Sequence, residues 1–144
     1  MSNKKILERM LVDESSILPK IVEASEKIFK LDKATGDPVF LISQNKLSQS
    51  DLMAVGLLSK YIAHQLEIVD TASVTPAELG KRFKLKKMIA GARLIDLKTH
   101  GLAKLIKWGE YRVSLPEALR YLEEEMLPKL TKRSDSVKKG EKNE

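Results

Sequence analysis

There is no cysteine in these 144 residues, so the chain has no disulfide framework, no thiolate metal site and no cysteine nucleophile. Histidine is nearly as scarce: His64 and His100 are the only imidazoles, and no metal centre is expected of them. No apolar run approaches the ~20 residues of a membrane-spanning helix. The opening MSNKKILERMLVDE puts charge inside its only apolar run, so no signal peptide is expected and a cytosolic protein is. No glycine-rich phosphate loop follows a strand-like run, and Gly36-Asp37-Pro38 reads as a hairpin turn. Glu123-Glu124-Glu125 reads as a solvated helix face rather than acid–base machinery. With these groups missing, neither an enzyme nor a cofactor is expected. Aromatics are also few, with three Phe, three Tyr and a single Trp.

What the chain does have is charge, unevenly placed. The length suits one domain with a sizeable core, and 42% hydrophobic with 32% charged residues fits a folded unit with polar extensions. The net charge is +6. Residues 1–74 hold nine basic and ten acidic side chains, and residues 113–144 hold seven of each. Between them, residues 75–112 hold ten basic side chains against Glu78, Asp96 and Glu110. A positive field confined to one segment suggests a polyanionic partner rather than general solubility.

Local patterns divide the chain into an N-terminal helical arm and hairpin (1–47), a central unit (48–114), a C-terminal helix (115–130) and a disordered tail (131–144). Residues 4–12 and 16–30 read as helices, the second capped by Ser16, with Pro19 in its first turn and Ile17, Ile21, Ala24 and Ile28 as its buried stripe. Residues 33–37 read as the loop of a hairpin, with Pro38 allowed on an edge strand. Ser48 and Asp51 open a helix reaching about Ile68, with Leu52, Val55, Leu58, Ile62 and Leu66 on one face. Thr75, Pro76 and Glu78 begin a short helix with a capping box, ending near Lys84-Leu85. After Lys84-Leu85-Lys86-Lys87, a helix over 88–99 turns Ala90, Leu94 and Leu97 inward and stops at Gly101. Strands Ala103–Lys107 and Glu110–Ser114 join at Trp108-Gly109, and a Ser114/Glu117 box opens the last helix, lined by Leu115, Leu119, Leu122 and Met126.

The stretches TPAELGKRF, ARLIDLKTHGL and KWGEYRVS, with Leu94, Leu97, Gly101 and Leu102 at the spacing L-x-x-L-x-x-x-G-L, resemble the winged helix-turn-helix family of small prokaryotic or archaeal regulators. The resemblance covers about residues 48–114. It implies a mainly α (α+β) fold in which the second helix of the pair enters a major groove and the hairpin forms a wing. It also implies end helices that act as dimerising arms, hence a homodimer.

The residues themselves point the same way for phosphate. Lys81, Arg82, Lys86 and Lys87 cluster where a helix N-terminus offers free N–H groups. Base edges are less well served: Met88, Ile89, Ala92, Arg93 and Asp96 form the outward set, and only Arg93 has bidentate capacity. The alternative is that Met88 and Ile89 are buried under a neighbouring element. At the wing, Lys107, Trp108 and Arg112 join the candidate contacts, with the indole stacked on a base or sugar. Alternatively, the ring folds back over Leu105 or onto a neighbouring subunit. The expected function is DNA binding, as a transcriptional regulator or chromatin-associated factor. The competing expectations are an RNA-associated winged helix and a protein-interaction module of the transcription machinery.

Overall fold

A computed structural model describes residues 3–11 and 14–130. The described chain is mainly helical, with two antiparallel hairpins. In order, α1 spans Asn3–Leu7, followed by a 3-10 turn at Glu8–Met10. Then come α2 (Glu14–Ser25), β1 (Phe29–Leu31), β2 (Pro38–Phe40), α3 (Gln49–Gln65), α4 (Pro76–Phe83), α5 (Lys87–Thr99), β3 (Ala103–Lys107), β4 (Glu110–Val113) and α6 (Leu115–Tyr121). A π-helical turn at Leu122–Met126 carries α6 on, and the chain stays helical to residue 130. The tail expectation for 131–144 lies outside the described residues. No described helix is long and apolar enough to cross a membrane.

The central helix is α3. Ser48 Oγ accepts from Asp51 N at 3.1 Å and Asp51 Oδ2 accepts from Ser48 N at 3.0 Å, which completes the expected capping box. One buried face was expected, yet every residue from 51 to 59 is buried, because other elements cover α3 on several sides. The uninterrupted run Leu52-Met53-Ala54-Val55-Gly56-Leu57-Leu58 is the sequence signature of such a helix. At Gly56 a Cβ would meet Leu79 Cδ2 at 2.7 Å, so α4 crosses α3 at van der Waals contact. The helix ends at Gln65, earlier than expected. Leu66 is exposed, and Glu67 in the left-handed region turns the chain so that Ile68 N donates to Ala63 O.

Several boundaries differ from the sequence reading for local reasons. Helix α2 starts at Glu14 and stops at Ser25, so Ser16 lies inside it and Pro19 sits in its second turn. Ile28 is buried through a turn and not through the helix, since Leu41 N donates to Ile28 O and extends the pairing of Phe29 with Phe40. The first hairpin loop runs from Asp32 to Asp37, one residue longer than expected. Of the two later capping boxes, Thr75 keeps its half, accepting from Glu78 N at 3.1 Å. The Glu78 carboxylate turns instead to Lys60 Nζ at 2.7 Å. Ser114 makes no side-chain cap. Its N–H donates to Leu102 O at 2.7 Å and is therefore unavailable to Glu117, which pairs with Arg120.

The stripe Leu115, Leu119, Leu122 and Met126 packs against α2 and its Ile17, Ile21 and Ala24 within the same chain. The end helices were expected to act as dimerising arms; their apolar stripes meet each other within one molecule.

Candidate nucleic-acid interface

Helices α4 and α5 meet at a sharp corner. Thr75 and Pro76 fix the start of α4, and Lys84 ends it in the left-handed region (φ 58°), where the backbone N–H of both Lys84 and Leu85 donates to Gly80 O. Two residues later α5 begins at Lys87. Its N-cap, Lys86, supplies no side-chain acceptor, in contrast to Ser48 and Thr75 on the preceding helices. The first N–H groups of α5 therefore have no side-chain cap, at the positive end of the helix dipole. Lys81, Lys84, Lys86 and Lys87 are exposed around this corner, and none forms an ion pair with a described residue. The fourth cation expected here behaves differently. Arg82 is only 21% exposed and is held by Asp37 Oδ1 at 2.9 Å and Glu78 Oε2 at 3.6 Å, fastening α4 to the first hairpin. Its charge is spent inside the fold.

Along α5, Ala90, Leu94 and Leu97 are buried as expected. Met88 is 85% exposed, which rules out its burial under a neighbour, and Ile95 is exposed as well; Ile89 and Ala92 are half-buried. Arg93 Nε lies 3.0 Å from Asp96 Oδ2, a charge contact without hydrogen-bond alignment. The one side chain with bidentate capacity on this helix is thus partly neutralised.

The second hairpin stands beside α5. Ala103 pairs with Val113, Lys104 with Arg112, Leu105 with Tyr111 and Lys107 with Glu110, with an irregularity that leaves Ile106 outside the register. Ala103, Tyr111 and Val113 are buried, while Lys104 and Arg112 face each other exposed across the strands. Like charges directly opposite destabilise a hairpin, so this pair costs the fold a little. Arg112 Nε donates to Ser73 Oγ at 2.8 Å, which holds the guanidinium in place. Lys107 Nζ lies 3.1 Å from Glu110. At the tip, Trp108 is 94% exposed, and a Cβ on Gly109 would meet nothing within 4 Å. The indole does not fold back over Leu105.

Sequence reasoning missed three parts of this surface, the first being Lys84, which was read only as part of the tight connection. Lys104 was counted in the basic segment but not singled out; counting back from the Trp108-Gly109 turn pairs it with Val113, and only the irregularity at Ile106 brings it opposite Arg112. Val74, which lies between the helices expected at 48–68 and from Thr75, exchanges N–H···O bonds of 2.8 and 2.9 Å with Tyr111 and adds a third strand segment to the hairpin. Nothing in the sequence around Val74 signals a pairing with a residue 37 positions on.

The opposite charge gathers elsewhere. A groove of about 460 Å³ beside α5 and α6 is lined by Asp96, His100, Glu117, Glu124 and Glu125, with Arg120 as the one cation among them. No group of three or more metal-ligating side chains exists among the described residues. Below the groove, fully buried Asp51 accepts from Tyr121 OH at 2.6 Å and from Lys129 Nζ at 3.2 Å, tying the C-terminal helix to α3. Burial first, and the bond to Asp51 second, push the Tyr121 hydroxyl well above the usual phenol range. No family model, curated protein or solved structure matches the chain.

Proposed function

We propose that the chain is a winged helix-turn-helix DNA-binding protein, acting as a transcriptional regulator or chromatin-associated factor. The order α3, Val74 strand segment, α4, α5, β3, β4 supports the fold part of this reading, with α5 as the groove helix and the β3–β4 hairpin as the wing. The observation that carries the function is the set of unpaired lysines at the uncapped start of α5: Lys81, Lys84, Lys86 and Lys87. Backbone phosphates are what such a corner suits, and contacts of this kind set position without reading sequence. Lys104, Lys107 and Arg112 would extend the phosphate track along the wing. The reading requires only one chain.

A second reading is favoured by one observation. Met88 and Ile95 leave α5 with an exposed apolar face, which would suit a protein partner better than a groove. An RNA partner would use the same cations on an A-form backbone. Binding by the intact chain to a labelled duplex DNA, competed with unlabelled duplex DNA and with structured RNA, separates these readings. DNA binding predicts that duplex competes best and that Lys86→Ala with Lys87→Ala flattens the salt dependence by about one unit of slope per lost phosphate contact. RNA competing better transfers the function to RNA. Absence of binding to either nucleic acid favours the protein partner.

A further inference from the structure

The wing tip presents a surface that phosphate contacts do not explain. Trp108 is 94% exposed on a turn that projects into open space. Ile106, displaced from the strand register, is exposed just behind it, and Leu105 is partly so. Lys104 and Arg112 stand opposite each other on the same hairpin, and Lys107 adjoins the Trp. An exposed indole contributes nothing to the core. Its apolar face gains only when something flat and apolar covers it. The cations around it select a polyanion as that something.

The one broad, flat apolar surface that nucleic acid offers an indole is the face of a base; the sugar edge and the thymine methyl are small and not planar. In a continuous duplex those faces are stacked on one another and are out of reach; they open at a bulge, a gap, a kinked step or a strand end. Helix α5 meanwhile offers little to read intact base-pair edges. It carries no Asn or Gln, and its single arginine is engaged with Asp96. The geometry points to DNA with an unstacked base beside a duplex as the preferred ligand: α5 and the lysines hold the duplex backbone, and Trp108 stacks on the open base. The inference rests on the DNA-binding reading above and adds the structural class of the target.

The test uses the intact chain and two labelled duplexes of equal length and sequence, one continuous and one carrying a single unpaired adenine at its centre. Trp108 is the sole Trp, so indole emission reports this side chain alone. The bulged duplex is expected to bind roughly tenfold more tightly, within the range for one base stacked on an aromatic, and to quench the emission more than the continuous duplex does. Trp108→Ala should abolish the preference and leave affinity for the continuous duplex within about twofold, while Trp108→Phe retains part of it. Equal affinity for the two duplexes, with emission unchanged by either, overturns the stacking inference and leaves DNA binding standing. Failure of both duplexes to bind overturns the DNA-binding reading itself.

Discussion

Phe29–Phe40 and Ala103–Val113 are both antiparallel hairpins whose connections contain a glycine of nearly the same backbone conformation, Gly36 at φ +79° and Gly109 at φ +78°. Their tips meet opposite surroundings. In the first, the Asp32 carboxylate accepts from Ala34 N and Thr35 Oγ1, and Asp37 pairs with Arg82. Gly36 is pressed so closely on α3 that a Cβ would sit 2.7 Å from Ala63 Cβ. In the second, Lys107 and Glu110 pair across the turn, a Cβ on Gly109 would meet nothing within 4 Å, and the only Trp stands exposed. A connection whose polar groups are satisfied at home is a structural fastening. One that leaves a large aromatic ring uncovered is shaped for a partner, and that ring can be altered without disturbing the core.

Replacing each glycine by alanine breaks or upholds this contrast most sharply. Both substitutions force a Cβ into the left-handed region at about 1 kcal/mol. Only Gly36→Ala adds a clash with α3, worth roughly another 1–3 kcal/mol. Denaturant unfolding should show Gly36→Ala losing about 2–4 kcal/mol and Gly109→Ala about 1. Equal losses would mean the first tip is no more closely packed than the second.

A fully partnered site away from both hairpins sharpens the same distinction. Tyr121→Phe removes the bond to Asp51 and should cost about 2 kcal/mol at neutral pH without changing DNA affinity. Because folding raises the Tyr121 value from its ordinary 10.0, the stability it contributes is complete below about pH 10 and is lost as pH rises above that. Alkaline titration of stability should show this fall in the native chain and not in Tyr121→Phe. An identical alkaline profile in the two proteins would remove the buried hydroxyl from the account.

Arg82 tests which side of the contrast a cation belongs to. Arg82→Ala should cost on the order of 1 kcal/mol of stability, since it frees Asp37 and the first hairpin, and should leave DNA affinity unchanged. Lost affinity with unchanged stability would return Arg82 to the interface. The smallest expected stability effect is at the wing. Lys104→Ala relieves the opposed cations, so stability should hold or rise by a few tenths of a kcal/mol, while the salt slope of DNA binding drops by about one. A destabilised Lys104→Ala chain with undiminished binding would make that lysine structural.

The features legible in the sequence are the ones decided within a few residues. Ser48 with Asp51, Thr75 before Pro76, Gly101 after α5 and Trp108-Gly109 between two short strands each carry their own physical signal, and an exposed Trp108 follows from the brevity of its turn. What escaped depends on residues far apart in the chain. Arg82 looks like its lysine neighbours until Asp37, 45 positions earlier, is brought beside it. Asp51 reads as a helix cap, and its second role as acceptor for Tyr121 and Lys129 exists only after α6 packs down. The apolar stripes of α2 and α6 were recognisable as stripes, but periodicity does not say whether a stripe meets its own chain or another. The capping box at Ser114 failed because the strand claimed the N–H that the box needs.

The most direct test is an amide NMR titration of the intact chain with the duplex that carries a single unpaired adenine, since it reads both hairpins and the α4–α5 corner in one experiment. The account predicts that shifts concentrate at residues 81–93 and 104–112, strongest near Lys86, Lys87 and Trp108, while residues 32–37 of the first hairpin stay in place. Shifts gathered on residues 32–37, with Lys86, Lys87 and Trp108 unmoved at saturating duplex, would contradict it.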